Sequence, residues 1–248
     1  MEPVSVFIMD ITNSSSAANG EMLSNYLGKL ETYINKWYEG IGSVQIKHRS
    51  GDELILLAEG YSTAFITAFY ISSIWEYEKH LPYFGLAYGR LDKKVEEIDI
   101  EKWIHPLAKQ ARSANDQLKK QKNRETFCYQ IPEREPGLQT LINGMLSLQN
   151  VLRMEQTDVQ RLVCSLYLIY GKQNTVAQLL DRSAPTVYSH FKKGHCEQIL
   201  RSFHEIVSVL DGRQASDFFP DMQNGQLKLL EESIRTNIKS QVQNIFSL

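Results

Sequence analysis

VSVFIMDI, residues 4–11, is the stretch from which the fold of the first half can be read. Val4, Val6, Phe7 and Ile8 are β-formers in a run with little polar alternation, the pattern of a central strand buried on both faces. Asp10 then stands at the carboxyl end of that strand, where sheets flanked by helices tend to place their chemistry. Working outward, Thr12–Gly20 is a polar loop, and Glu21–Tyr38 carries Leu23, Tyr26, Leu27, Leu30, Ile34 and Trp37 at the spacing of an amphipathic helix. Ser43–Lys47 alternates and Glu53–Ala58 is a second β run. Between them His48–Asp52 predicts a turn, with Gly51 as its flexible residue. Ser62–Trp75 reads as a helix, Pro82–Gly89 as a strand, Ile100–Lys119 as a helix broken near Pro106, and Glu125–Gln130 as a closing strand. The order is βαββαβ with additions, which predicts an α+β chain whose first part (1–131) is ferredoxin-like around an antiparallel sheet.

Composition limits the function classes. A net charge of −2 argues against coating nucleic acid by bulk electrostatics, so any DNA contact must come from a local patch. Cys128, Cys164 and Cys196 are widely spaced, with no CxxC pair, which predicts free thiols in a reducing cytosol. The N-terminus has no basic region or cleavage site of a signal peptide, and no apolar run approaches the ~18 residues of a membrane span. A cytoplasmic location with no membrane partner is expected.

Asp10 and the Gly51-Asp52-Glu53 turn are 42 positions apart, yet in this topology the end of the first strand and the hairpin turn lie side by side. Two carboxylates a few ångströms apart can hold Mg²⁺ with a triphosphate. The plain alternatives are that Asp10 caps the following segment and Asp52 forms the turn. FIMDITNSS (7–15) followed by QIKHRSGDELILLAEG (45–60) resembles the palm domain of class III nucleotide cyclases and of GGDEF-type cyclases. Those families place one metal-binding Asp after the first strand and another in a Gly-Asp hairpin. Phe84-Gly85-Leu86-Ala87-Tyr88-Gly89 resembles their Gly-containing strand. The resemblance implies a nucleotide or metal site at Asp10, Asp52, Glu53 and Arg112. It also places Ala108 where the transition-state Asn should stand, a loss commonly worth a hundredfold or more in rate. The implied role is therefore binding of Mg²⁺ with a nucleotide rather than turnover.

Ile131–Gly137 combines two prolines, a glycine and charges, and reads as a linker (132–137). Beyond it, 138–211 predicts a helical domain. Leu138–Met154 has a helical stripe. Thr157-Asp158 opens a helix that Gly171 ends. Gln173–Lys193 then reads as two short helices joined by a tight turn, with Ala177, Leu180, Val187 and Phe191 packing across it. Ser183 is a candidate N-cap, and Pro185 fits a first turn. Ser183, Pro185, Thr186, Tyr188, Ser189, Lys192 and Lys193, with Arg182 in the turn, are the candidate DNA-binding residues. Over 172–193, Lys172, Arg182, Lys192 and Lys193 against Asp181 give a local +3. The ordinary alternative is a helical hairpin with no ligand. TDVQRLVCSLYLIYGKQNTVAQLLDRSAPTVYSHFKKG (157–194) is similar to the fourth region of bacterial sigma factors. The two likenesses together resemble the SatD family of bacterial proteins, over about residues 4–205, through Asp10-Ile11-Thr12-Asn13-Ser14, Gly51-Asp52-Glu53 and the helix-turn-helix.

After Asp211-Gly212, predicted to break the preceding helix, residues 212–248 read as a polar loop holding Phe218-Phe219-Pro220 and then an amphipathic helix from Gln226. Its stripe of Leu227, Leu230, Ile234, Ile238, Val242 and Ile245 either packs on the chain's own core or forms a homodimer contact, as a reader of two half-sites would need. Three functions compete: a DNA-binding transcriptional regulator whose cyclase-like domain senses a nucleotide or dimerises, an active cyclase or nucleotidyltransferase using Asp10 and Asp52, and a scaffold that binds proteins. The filled Asn position and the intact packing of the turn motif favour the first.

Overall fold

β1 (Glu2–Ile11) runs through the middle of a five-stranded sheet with β2 (Val44–Arg49), β3 (Glu53–Glu59), β4 (Pro82–Leu91) and β5 (Phe127–Tyr129), in the order β2-β3-β1-β4-β5. This computed structural model describes residues 1–13, 17–49, 51–131, 136–217 and 224–246. β1 is antiparallel to both β3 and β4, and β2 to β3, but β4 and β5 are parallel. The sheet is therefore mixed, not antiparallel as expected. The chain leaves β4, crosses the sheet face through α3 (Pro106–Lys120) and returns in the same direction, which only a parallel partner satisfies.

Side-chain alternation divides β1 between two cores. Val4, Val6 and Ile8 join Ile55, Leu57, Ala87, Leu107 and Ala111 under α3. Phe7, Met9 and Ile11 face α1 (Ala17–Trp37) and α2 (Thr63–Ser73) on the other side. α1 starts at Ala17, earlier than the sequence suggests; residues 14–16 lie outside the described residues. α3 starts only at Pro106, where His105 Nδ1 accepts from the Leu107 amide at 3.3 Å; residues 100–105 are not helical. A proline lacks the N–H of an interior turn and disfavours helix in the residue before it, so the break read near Pro106 is a true beginning.

Two glycines set the depth of α3. A Cβ on Gly85 would lie 2.1 Å from the Ala111 carbonyl oxygen and 2.3 Å from the Asn115 nitrogen, and one on Gly89 would lie 2.7 Å from Leu107. Gly85 is thus explained by backbone-to-backbone approach, and Gly89 by the Leu107 side chain packed over it. Asn115, fully buried, ties the helix down by donating from Nδ2 to the Ile8 carbonyl at 3.0 Å.

The second half follows as α4 (Pro136–Met154), α5 (Asp158–Tyr170), α6 (Gln173–Leu179), α7 (Ala184–Lys193), α8 (Cys196–Asp217), α9 (Asn224–Lys239) and α10 (Val242–Phe246). Thr157 and Gln160 form a reciprocal capping box at the start of α5, and Gly171, in the left-handed region at φ 68°, ends it. Of the predicted linker, Pro136 and Gly137 open α4, and residues 132–135 lie outside the described residues. α8 passes straight through Asp211-Gly212 to Asp217, against the expected break. The reason is tertiary: Gln214 Oε1 accepts from the Tyr61 amide at 2.6 Å, and Asp211 accepts from Ser62 Oγ at 2.6 Å. The expected aromatic loop at 218–220 lies outside the described residues.

Both halves share one core. Phe203 of α8 stacks on Phe69 of α2 with centroids 4.1 Å apart. α2 is buried from Thr63 to Ile71, as a helix apolar all round must be. The C-terminal stripe resolves the same way. Leu230, Ile234 and Ile238, packed by α9 against α1, α2 and α5, and Val242 of α10 are buried in this chain, so they are not available for the expected dimer contact. That stripe is also split between α9 and α10 rather than carried by one helix. Cys128, Cys164 and Cys196 are free and buried. Among the described residues no helix is long and apolar enough to cross a membrane.

Candidate functional site

Asp10 lies at the end of β1, opposite Tyr83 of β4. Its parity matches Val4, Val6 and Ile8, so it faces the α3 side. Continuing the Met9–Leu54 register by one position sets it beside Glu53. The expected convergence of Asp10 with the hairpin is thus present. Burial, then the negative charges of Asp52 and Glu53, push the Asp10 carboxyl up to about 6, while Lys119 and Arg112 pull it back in part. The hairpin turns through Gly51 at φ 103°, a left-handed conformation that glycine adopts without strain. His48 and Arg49, read from sequence as part of the turn, extend β2 instead; Ser50 lies outside the described residues.

Glu53 and Arg112 are spent on each other. Arg112 donates from both guanidinium ends to the Glu53 carboxylate at 2.7 and 2.9 Å, and Arg49 adds a contact at 3.2 Å. Burial raises the Glu53 carboxyl, but these hydrogen bonds and charges outweigh it and hold it below the ordinary glutamate value. The expectation that Arg112 serves a nucleotide or metal site is therefore altered: in this structure its fork holds Glu53 in a bidentate pair. Among the described residues no group of three or more His, Cys, Asp and Glu side chains is arranged to hold a metal ion.

Sequence reasoning missed Lys119, Tyr83 and Arg49. Lys119 follows Arg112 by seven residues, two helical turns, and so shares its face of α3. Tyr83 is fixed by the β1–β4 register, and Arg124 covers its ring at 4.4 Å.

The second candidate is the α6–α7 pair. Val176, Ala177, Val187 and Phe191 are buried between these helices and α5, where Phe191 meets Tyr167 at 4.6 Å. Asp181 takes the left-handed conformation at φ 47°, the place where such a turn usually carries glycine; aspartate is among the residues that tolerate it. Ser183 caps α7, accepting from the Thr186 amide at 3.3 Å, and its hydroxyl also meets Thr186 Oγ1 at 2.8 Å. Arg182, Ser183, Pro185, Thr186, Tyr188, Lys192 and Lys193 are exposed and Ser189 is half-buried, so the predicted outward face is outward. Lys192 differs from expectation. Its ammonium pairs with Glu197 at 2.6 Å and sits 5.9 Å over the Tyr188 ring, whereas Arg182 and Lys193 have no ion-pair partner among the described residues.

Comparison with protein-family models, with curated proteins and with solved structures finds no match for this chain.

Proposed function

We propose that this chain is a DNA-binding transcriptional regulator that reads duplex DNA with α7, the second helix of a helix-turn-helix, and that works in the cytoplasm. The observation that carries the reading is the division of α7. Val187 and Phe191 anchor it, while a continuous exposed face runs from Arg182 to Lys193 with its N-terminal end open to solvent. A helix held this way enters a major groove with its first residues at the base edges and its cations at the phosphates. Arg182 and Lys193 are the phosphate contacts. Lys192 contributes less, because it must first leave Glu197. Tyr188 and Ser189 are the candidates for base edges. Retention of labelled duplex at two salt concentrations tests this: Lys193→Ala should weaken binding to every sequence and flatten the salt slope by about one.

The raised carboxyl of Asp10 favours a second, subsidiary reading: the first part is a ferredoxin-like palm that senses Mg²⁺ with a nucleotide through Asp10 and Asp52. Burial is the larger cause of the raised Asp10 value, and a divalent cation there would relieve the part that comes from the charges of Asp52 and Glu53. Mg²⁺ with ATP or GTP should then raise the melting temperature of the native chain and not of Asp52→Ala. Equal shifts in both would leave these carboxylates as turn and strand-end residues.

A further inference from the structure

Away from both candidate sites, a cavity of about 310 Å³ opens between the end of α2, the start of β4 and the α4–α5 corner. Arg153 of α4 and Arg161 of α5 both line it. Arg153 is half-buried and turned toward α2. It donates to the Ser72 hydroxyl at 3.0 Å and the Ser72 carbonyl at 3.2 Å, and its guanidinium carbon lies 5.4 Å over the Phe69 ring. Neither arginine has a carboxylate within ion-pair distance among the described residues, although Glu78 and Asp158 stand elsewhere on the cavity wall. Burial lowers Arg153 to about 10; Cys164 opposes that shift, and Arg161, as a like charge, adds to it. Two half-buried cations facing one another are unfavourable unless an anion completes them.

The rest of the wall adds donors and apolar surface. Asn150 Oδ1 accepts from the Thr126 amide and hydroxyl at 3.2 and 3.1 Å, which leaves its Nδ2 hydrogens without a partner among the described residues. Trp75 is fixed by donating from Nε1 to the His80 carbonyl at 2.8 Å, and with Leu81 and Pro82 it gives the cavity an apolar side. The volume falls at the small end of ligand pockets.

We propose that this cavity is a binding site for an oxyanion carried on a small apolar or aromatic body, with Arg153 and Arg161 gripping the anion and Trp75 bordering the body. Guanidinium forks suit phosphate and carboxylate oxygens, and two of them outside any ion pair leave enough donors for a doubly charged group. Three probes separate the parts of the ligand: phenyl phosphate, inorganic phosphate and phenol, each titrated into the full chain by calorimetry and thermal melting. Phenyl phosphate should bind saturably and raise the melting temperature; inorganic phosphate should bind more weakly, and phenol should not bind. Arg161→Gln should weaken phenyl phosphate binding by about tenfold or more. Without ligand it should melt no lower than the native chain, because it removes a like charge facing Arg153. Absence of saturable binding at millimolar phenyl phosphate, or equal affinity in Arg161→Gln, overturns the site. An unliganded Arg161→Gln that melts lower would mean that Glu78 or Asp158 already neutralises the pair, which also overturns it.

Discussion

Asp10 is held by β1 at a place that disfavours its own charge, and this makes its pH behaviour diagnostic. Its folded value of about 6 lies above the ordinary 3.8. The favourable contribution of its neutral form is therefore complete below about pH 4 and is lost as pH rises through 6. Asp10→Asn keeps the shape and removes that loss. It should raise the melting temperature at pH 8 by a few degrees, corresponding to about 1 kcal/mol after allowance for partial exposure, and change it little at pH 4. Thermal melts of both proteins at the two pH values check this; an equal effect at both would show that charge is not the cause. Glu53 behaves oppositely, since Arg112 and Arg49 hold it ionised. Arg112→Ala should cost about 1 kcal/mol by urea unfolding at pH 7, and Glu53→Gln should recover little of it. The convergence of Asp10 with the hairpin was legible because strand order follows from the order of elements. The pairing of Arg112 with Glu53 was not, because it depends on where a helix 59 positions later crosses the sheet.

Among the elements, α3 and α7 show what local pattern carries and what it leaves out. Gly85 and Gly89, read from sequence only as part of a motif, are the surface on which α3 rests. Gly85→Ala would drive a methyl group into the backbone of α3 and should cost about 3 kcal/mol or more in a denaturant titration, while Gly28→Ala, with open space around it, should be neutral or mildly stabilising. α7 was legible in detail: its cap, its buried residues and its outward face all follow from spacing within about twenty residues. The parallel β5 and the length of α8 were not. Asp211-Gly212 carries the local signal of a helix end, and it is overruled by hydrogen bonds to Tyr61 and Ser62, about 150 positions earlier. Propensity is a weak prior wherever a tertiary partner supplies the missing contacts.

At the scale of the whole molecule, the two halves are joined through aromatic packing. Phe203 touches Phe65, Phe69 and Tyr70, so Phe203→Ala should lower stability by about 3–5 kcal/mol and keep a single unfolding transition. Two separated transitions in the native chain would contradict a shared core. The same packing uses the C-terminal stripe, which sequence periodicity alone could not assign to self or partner: an apolar face looks alike in both settings. With that stripe buried, the proposed DNA reading would rest on one α7 per chain and on the few cations around it. The most direct test is electrophoretic retention of genomic duplex fragments at low and moderate salt, comparing the native chain with Arg182→Ala/Lys193→Ala. DNA reading by α7 predicts that the native chain retains duplex at low salt, loses affinity as salt rises, and that the double variant loses most retention while melting at an unchanged temperature. A natively folded chain that retains no duplex at low salt, or a double variant that binds as well as the native chain, would contradict it.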